Sequence, residues 1–165
     1  MNLQFYLEKL FTSEKFQEFI KENPNAYFCS GFFSLDKEGK DSKAHIDYFI
    51  PDTKKIFSFK LEKGIEIVLV DSDANKVLEK VSDNLDFDFG KIEEMIVEKM
   101  AKEGMKNKIQ KILLSLQNLN GNNFLIGTIF ISGLGMIKIR IDLKNMKIIE
   151  FDKKSFLDMM KIVKK

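Results

Sequence analysis

Apolar residues fall on every second position in four separate stretches of this chain: HIDYFI (45–50), KIFSFKLE (55–62), FLIGTIFIS (124–132) and MIKIRIDL (136–143). A period of two is the mark of a strand with one buried and one wetter face, and a helix cannot use it. AYFCSGFFSL (26–35), GIEIVLV (64–70) and KIIEF (147–151) add three further strand candidates. The polar run DKEGKDSK (36–43) and the segment PDTKK, with Pro51 preset for an opening turn position, separate neighbouring strands and make them antiparallel pairs.

Helical spacing appears elsewhere. Residues 3–22 place Leu3, Tyr6, Leu7, Leu10 and Phe11, then Phe16, Phe19 and Ile20, on one side, with Thr12 or Ser13 capping a second segment and Pro24 ending it. A short helix is expected around Lys76–Val81. From Gly90, the residues Ile92, Met95, Ile96 and Met100, then Ile109, Ile112, Leu113, Leu116 and Leu119, predict a long central helix. Gly104 breaks or kinks it and Gly121 suits its stop. KSFLDMMKIVKK closes the chain as a helix with Phe156, Leu157, Met160 and Val163 on one side.

These elements predict an α+β fold of mostly antiparallel sheet with helices packed on one face, in a single domain over 1–165. Helix followed by three strands occurs twice, in halves 3–70 and 90–165. FQEFIKENPNAYFCSGFF (16–33) aligns with LLSLQNLNGNNFLIGTIF (113–130), and Ile46, Tyr48 and Ile50 with Ile137, Ile139 and Ile141. In element order the layout resembles cystatin-like folds and type III secretion chaperones. No residue motif accompanies that resemblance, and the near-neutral charge departs from the acidic surface expected of such chaperones, so no functional residue is carried over from it.

Composition narrows the function classes. Of 165 residues, 44% are apolar and 16 are phenylalanine, enough to build a core. The formal charge is only +2 and Arg140 is the single arginine, which weighs against a strongly basic nucleic-acid binder. Cys29 is the single cysteine, so no internal disulfide forms. Glu8, Lys9, Glu14 and Lys15 interrupt the N-terminal stretch, leaving no secretory pattern, and apolar runs are too short for a membrane span. A cytoplasmic setting is expected.

Each candidate chemical site has a plain structural reading beside it. A nucleophile triad must use His45, the only histidine. Cys29 and His45 sit in opposite arms of one hairpin, about 13 Å apart at the usual strand rise, and should not touch. DSDANK (71–76) opens like a calcium loop, but Lys76 stands where glycine belongs and Ser82 where the closing glutamate belongs. Asp83, Asp86, Asp88, Glu93 and Glu94 could hold a hard cation or act as an acid–base pair, yet they precede and open a helix, where N–H groups favour carboxylates. Asp86 or Asp88 is the expected N-cap. Gly133 and Gly135 lack the third glycine of a dinucleotide loop and read as a hairpin turn. No cofactor is implied.

Binding surfaces remain. Lys138 and Arg140 project from the strand face opposite Ile137, Ile139 and Ile141, with Lys144 and Lys147 in the adjoining turn and strand. The closing segment sets Lys153, Lys154, Lys161, Lys164 and Lys165 around Phe156, Leu157, Met159, Met160 and Val163, a basic amphipathic pattern that could meet a partner's groove, a second copy or an anionic membrane surface. The expectation is a binding module without catalytic activity, directed to protein and able to self-associate. Its alternatives are a small-ligand or enzymatic pocket between sheet and long helix, using Asp47, Tyr48 or the acidic segment, and weak nucleic-acid binding through the basic strand face.

Overall fold

The structure, a computed structural model, describes residues 1–39, 41–71 and 76–155. Among these residues are three helices and eight strands: α1 (Leu3–Phe11), α2 (Glu14–Glu22), β1 (Tyr27–Asp36), β2 (Lys43–Ile50), β3 (Lys55–Lys60), β4 (Glu66–Val70), α3 (Phe89–Lys102), β5 (Ile109–Leu119), β6 (Asn122–Ile131), β7 (Gly135–Asp142) and β8 (Lys147–Ser155). All strands join one antiparallel sheet in the order β4-β3-β2-β1-β5-β6-β7-β8. Two four-stranded meanders therefore meet at their first strands.

That meeting has an approximate twofold character. Phe33 of β1 pairs with Leu114 of β5 at the centre of the seam. The ladder to the next strand slips past Cys29 in β1 and past Gln110 in β5, at the same separation in sequence as the central pair. A bulge bends its strand and increases local twist, so the two halves curve alike about the seam.

Local chemistry sets the helix ends. Asn2 caps α1 by accepting from Phe5 N–H, and Ser13 caps α2 by accepting from Phe16 N–H. Thr12 and Ser13 thus break the first helical stretch in two. Asp88 caps α3 through Lys91 N–H. Gly104, at φ +72°, ends α3 with Met105 N–H bonded to Met100 C=O and Gly104 N–H bonded to Ala101 C=O. That is a Schellman stop, and glycine supplies the left-handed residue it requires.

The helices cover one side of the sheet. Leu3, Leu7 and Leu10 of α1, Phe16 and Phe19 of α2, and Phe89, Ile92, Ile96 and Met100 of α3 join a single buried cluster with Phe28, Phe33, Ile46, Phe59, Ile112, Leu114, Leu116, Leu125, Ile129, Ile137 and Ile139. Phe16, Phe19, Tyr48 and Phe59 contact one another edge to face, with centroids 5.1 to 6.3 Å apart. Ile96 has no exposed surface. Burying such a side chain stabilises the fold by about 1.5–3 kcal/mol, and truncation to alanine costs about 2–5 kcal/mol once the cavity is included.

Several expectations are corrected here. The long central helix is not formed: α3 stops at Lys102, and residues 109–119 are β5. Ile109, Ile112, Leu113 and Leu116 fit helical spacing, but Ile112, Leu114 and Leu116 also alternate. Pairing with β1 on one side and β6 on the other satisfies the backbone and buries the alternating set. The alignment of 16–33 with 113–130 falls with it, because it lays α2 against β5. The layout that does recur is one helix followed by four strands, α2 with β1 to β4 and α3 with β5 to β8. Residues 76–81 form no helix; Val81 N–H bonds Phe28 C=O as the connector rounds the strand ends. Lys153 to Ser155 belong to β8, and the rest of the expected C-terminal helix, with Phe156, Met159 and Met160, lies outside the described residues.

Candidate binding face

Strand alternation gives the sheet a second side, on which no helix packs among the described residues. Cross-strand pairing sets its rows. One runs Phe32, Ser115, Ile126, Arg140 and Glu150; the next runs Ser34, Leu113, Thr128, Lys138 and Asp152. Gln117, Phe124 and Asp142 form a row on one flank, and Lys111, Phe130, Met136 and Lys154 one on the other. Phe32, Leu113, Phe124, Ile126, Phe130 and Met136 are all partly exposed. The centre of this face is apolar and aromatic, with charge toward β2 on one side and β7–β8 on the other.

The far end of this face is covered by the chain itself. Leu78, in the connector after β4, packs against Cys29, Phe49 and Ile56, and Tyr27 Oη donates to Leu78 C=O at 2.5 Å. Asn118 Nδ2 donates to Lys80 C=O. Among the described residues, the uncovered part is therefore centred on β5, β6 and β7.

The basic residues singled out in the sequence are distributed as follows. Lys138 stands opposite Asp152, and Arg140 opposite Glu150, with Nε and Oε2 3.8 Å apart. The Arg140 guanidinium lies over the Phe124 ring, 5.9 Å from its centroid, and its buried Nε has no hydrogen-bond partner among the described residues. Lys144 is in the β7–β8 turn, where its N–H donates to Asp142 Oδ1, and Lys147 pairs with Asp142 at the start of β8. Asn145 and Lys144 hold the Asp142 carboxyl below its ordinary range, chiefly through the Asn145 side-chain hydrogen bond. Lysines and carboxylates thus interleave, and no uniform basic field results.

The acidic segment is consumed by helix starts. Asp88 caps α3; its carboxyl is lowered first by the Lys91 N–H hydrogen bond and further by the nearby N-terminal amine. Asp86 accepts from Gln4 N–H, Asn2 Nδ2 and Phe87 N–H. Glu93 pairs with Lys37 at 2.9 Å. Among the described residues no cluster of three or more His, Cys, Asp or Glu could hold a metal ion. The calcium-like stretch at 71–76 lies mostly outside the described residues.

Cys29 and His45 have separate surroundings. Cys29 Sγ donates to Asp47 C=O at 3.4 Å, and burial, reinforced by the Asp47 charge, pushes the thiol up to about 12. His45 Nε2 meets Glu62 Oε1 at 2.6 Å, and its ring lies 5.6 Å from that of Phe32. Burial likewise raises Tyr48, which sits in the aromatic core, and Asp47 accepts from Ser30 Oγ at 2.7 Å on the opposite side of the sheet. The layer between α3 and the sheet is filled by Ile92, Ile96, Met100, Ile112 and Leu114 rather than by a pocket.

Charge spacing along β7 and β8 points to the lysines and passes over the aromatic and aliphatic residues between them. A signal existed. FLIGTIFI is apolar on both phases of its alternation, which marks a strand with something to cover on each side. No protein-family model, curated protein or solved structure matches the chain. No helix among the described residues is long and apolar enough to cross a membrane.

Proposed function

We propose that the chain is a non-catalytic protein-binding module whose contact surface is the helix-free face of the sheet around Ile126. One observation carries this reading: Phe32, Leu113, Phe124, Ile126 and Phe130 remain partly exposed together, bordered on the β7–β8 side by Lys138, Arg140, Glu150 and Asp152 and in the flanking rows by Lys111 and Asp142. An apolar, aromatic centre inside a rim of both charge signs is the usual anatomy of a protein interface. Arg140, with its guanidinium over the Phe124 ring and partly exposed, has the character of an interface anchor.

Affinity capture with the full chain, compared with Ile126→Asp and Phe124→Asp, tests it. A defined set of proteins should be lost by about tenfold or more with both variants, and retained by Lys63→Glu, which lies off this face. Far-UV circular dichroism matching the wild type shows that the variants fold. Equal recovery by all four proteins refutes the assignment.

Aromatic residues beside Lys138 and Arg140 also favour a second reading, in which bases of single-stranded nucleic acid stack on this face. Anisotropy with a labelled single-stranded oligonucleotide at low salt separates the two. Binding that weakens steeply with salt and is abolished by Phe124→Ala supports nucleic acid.

A further inference from the structure

The two edges of the sheet are built differently. β8 carries Lys147, Glu150, Asp152, Lys153 and Lys154, and its ladder to β7 slips past Ile149. Charge and a bulge both discourage another strand from joining. β4, at the opposite edge, reads EIVLV, with neither lysine nor proline. Its ladder to β3 is unbroken from Lys60–Glu66 to Ile56–Val70.

Alternate residues of an edge strand turn their N–H and C=O groups away from the sheet, and the partner that satisfies them is another strand. Among the described residues, none pairs with the outer side of β4. In the described part of the connector that follows, Leu78 packs over Cys29, Phe49 and Ile56 and not along this edge. Leu69 is 54% exposed although it stands beside Phe57, on the side the helices cover.

We propose that β4 pairs with β4 of a second copy of this chain, antiparallel and centred on Val68, so that the two sheets continue as one. The strand's own pattern selects this occupant. About a twofold axis at Val68, Ile67 of each copy faces Leu69 of the other, Val68 faces Val68, and Glu66 faces Val70. No like charges meet, and the exposed Leu69 is covered from both sides of the axis. Ile67 also lines a surface groove with Phe19, Ile50 and Phe57, rimmed by Lys15, Glu18, Glu22 and Lys55, so the partner's Leu69 arrives beside apolar side chains already at the surface. This contact uses residues separate from those around Ile126 and does not depend on the function proposed for that face.

Sedimentation and native mass spectrometry of the full chain over about 1–100 µM test the proposal, since a ladder this short predicts a micromolar dimer. Wild type should pass from monomer to dimer across that range. Val68→Lys and Val68→Glu, at a partly exposed position opposite Ser58, should each remain monomeric with an unchanged unfolding midpoint. Mixed in equal amounts they should dimerise, because lysine then faces glutamate across the axis. Leu69→Lys, at the exposed position, should also lose the dimer. A wild type that stays monomeric, a dimer that survives these substitutions, or a charge-swapped mixture that fails to associate overturns it.

Discussion

Asp86 Oδ1 accepts the backbone N–H of Gln4 at 3.1 Å, tying the first turn of α1 to the loop that opens α3. The same carboxylate accepts Asn2 Nδ2 at 3.0 Å, beside the Asn2–Asp88 bridge. One acid therefore positions two helices whose starts are far apart in the chain. Asp86→Ala should lower stability by about 0.5–2 kcal/mol, as the loss of a helix-start acceptor does, and Asp86→Asn by less. Urea unfolding with an unchanged slope measures it; a midpoint equal to wild type for Asp86→Ala would refute the tie.

Gly127 and Gly104 should fail for different reasons when changed to alanine. A Cβ on Gly127 would collide with Leu113 C=O of the neighbouring strand β5, so the backbone itself must move. Gly104 has open space around it and only its φ of +72° to lose. Gly104→Ala is expected to cost about 1–2 kcal/mol. Gly127→Ala should cost more, about 2–4 kcal/mol, or prevent folding. Equal midpoints for the two variants would contradict the account.

The Cys29 thiol, only 3% exposed and raised to about 12, should resist alkylation in the folded protein at pH 8. Maleimide labelling should proceed at the rate of unfolding and become rapid in denaturant. Because the folded value lies above the ordinary 9.0, the thiol's contribution to stability is complete below pH 9 and is lost as pH rises toward 12. Rapid labelling of the native protein would place Cys29 outside the core.

Asp36, Asp88 and Asp142 are all lowered from 3.8, by the backbone N–H of Glu38, the backbone N–H of Lys91 and the side chain of Asn145 respectively. A carboxyl lowered by folding stabilises the native state above its ordinary value, and that contribution disappears as pH falls through the folded value. Stability should therefore be level near neutrality and drop below about pH 4. The triple variant Asp36→Asn, Asp88→Asn, Asp142→Asn should start lower and show a shallower acid drop. Parallel curves would remove these three groups as the cause.

The sequence by itself determined the antiparallel character of this protein and where its first helices end. Alternation in 45–50, 55–62, 124–132 and 136–143 reads directly as strands because period two is local, and Ser13 and Asp88 carry capping chemistry that acts within one turn. Only the tertiary structure decided the rest. Residues 109–119 satisfy both periods, and β1 on one flank and β6 on the other convert them from helix spacing to strand by supplying partners that the segment cannot supply itself. The same seam turns two meanders into one sheet. It also brings Phe32 of β1 into one row with Ile126 and Arg140 of the β6–β7 hairpin, although β1 is distant from them in sequence, because cross-strand neighbours are set by register rather than by order along the chain.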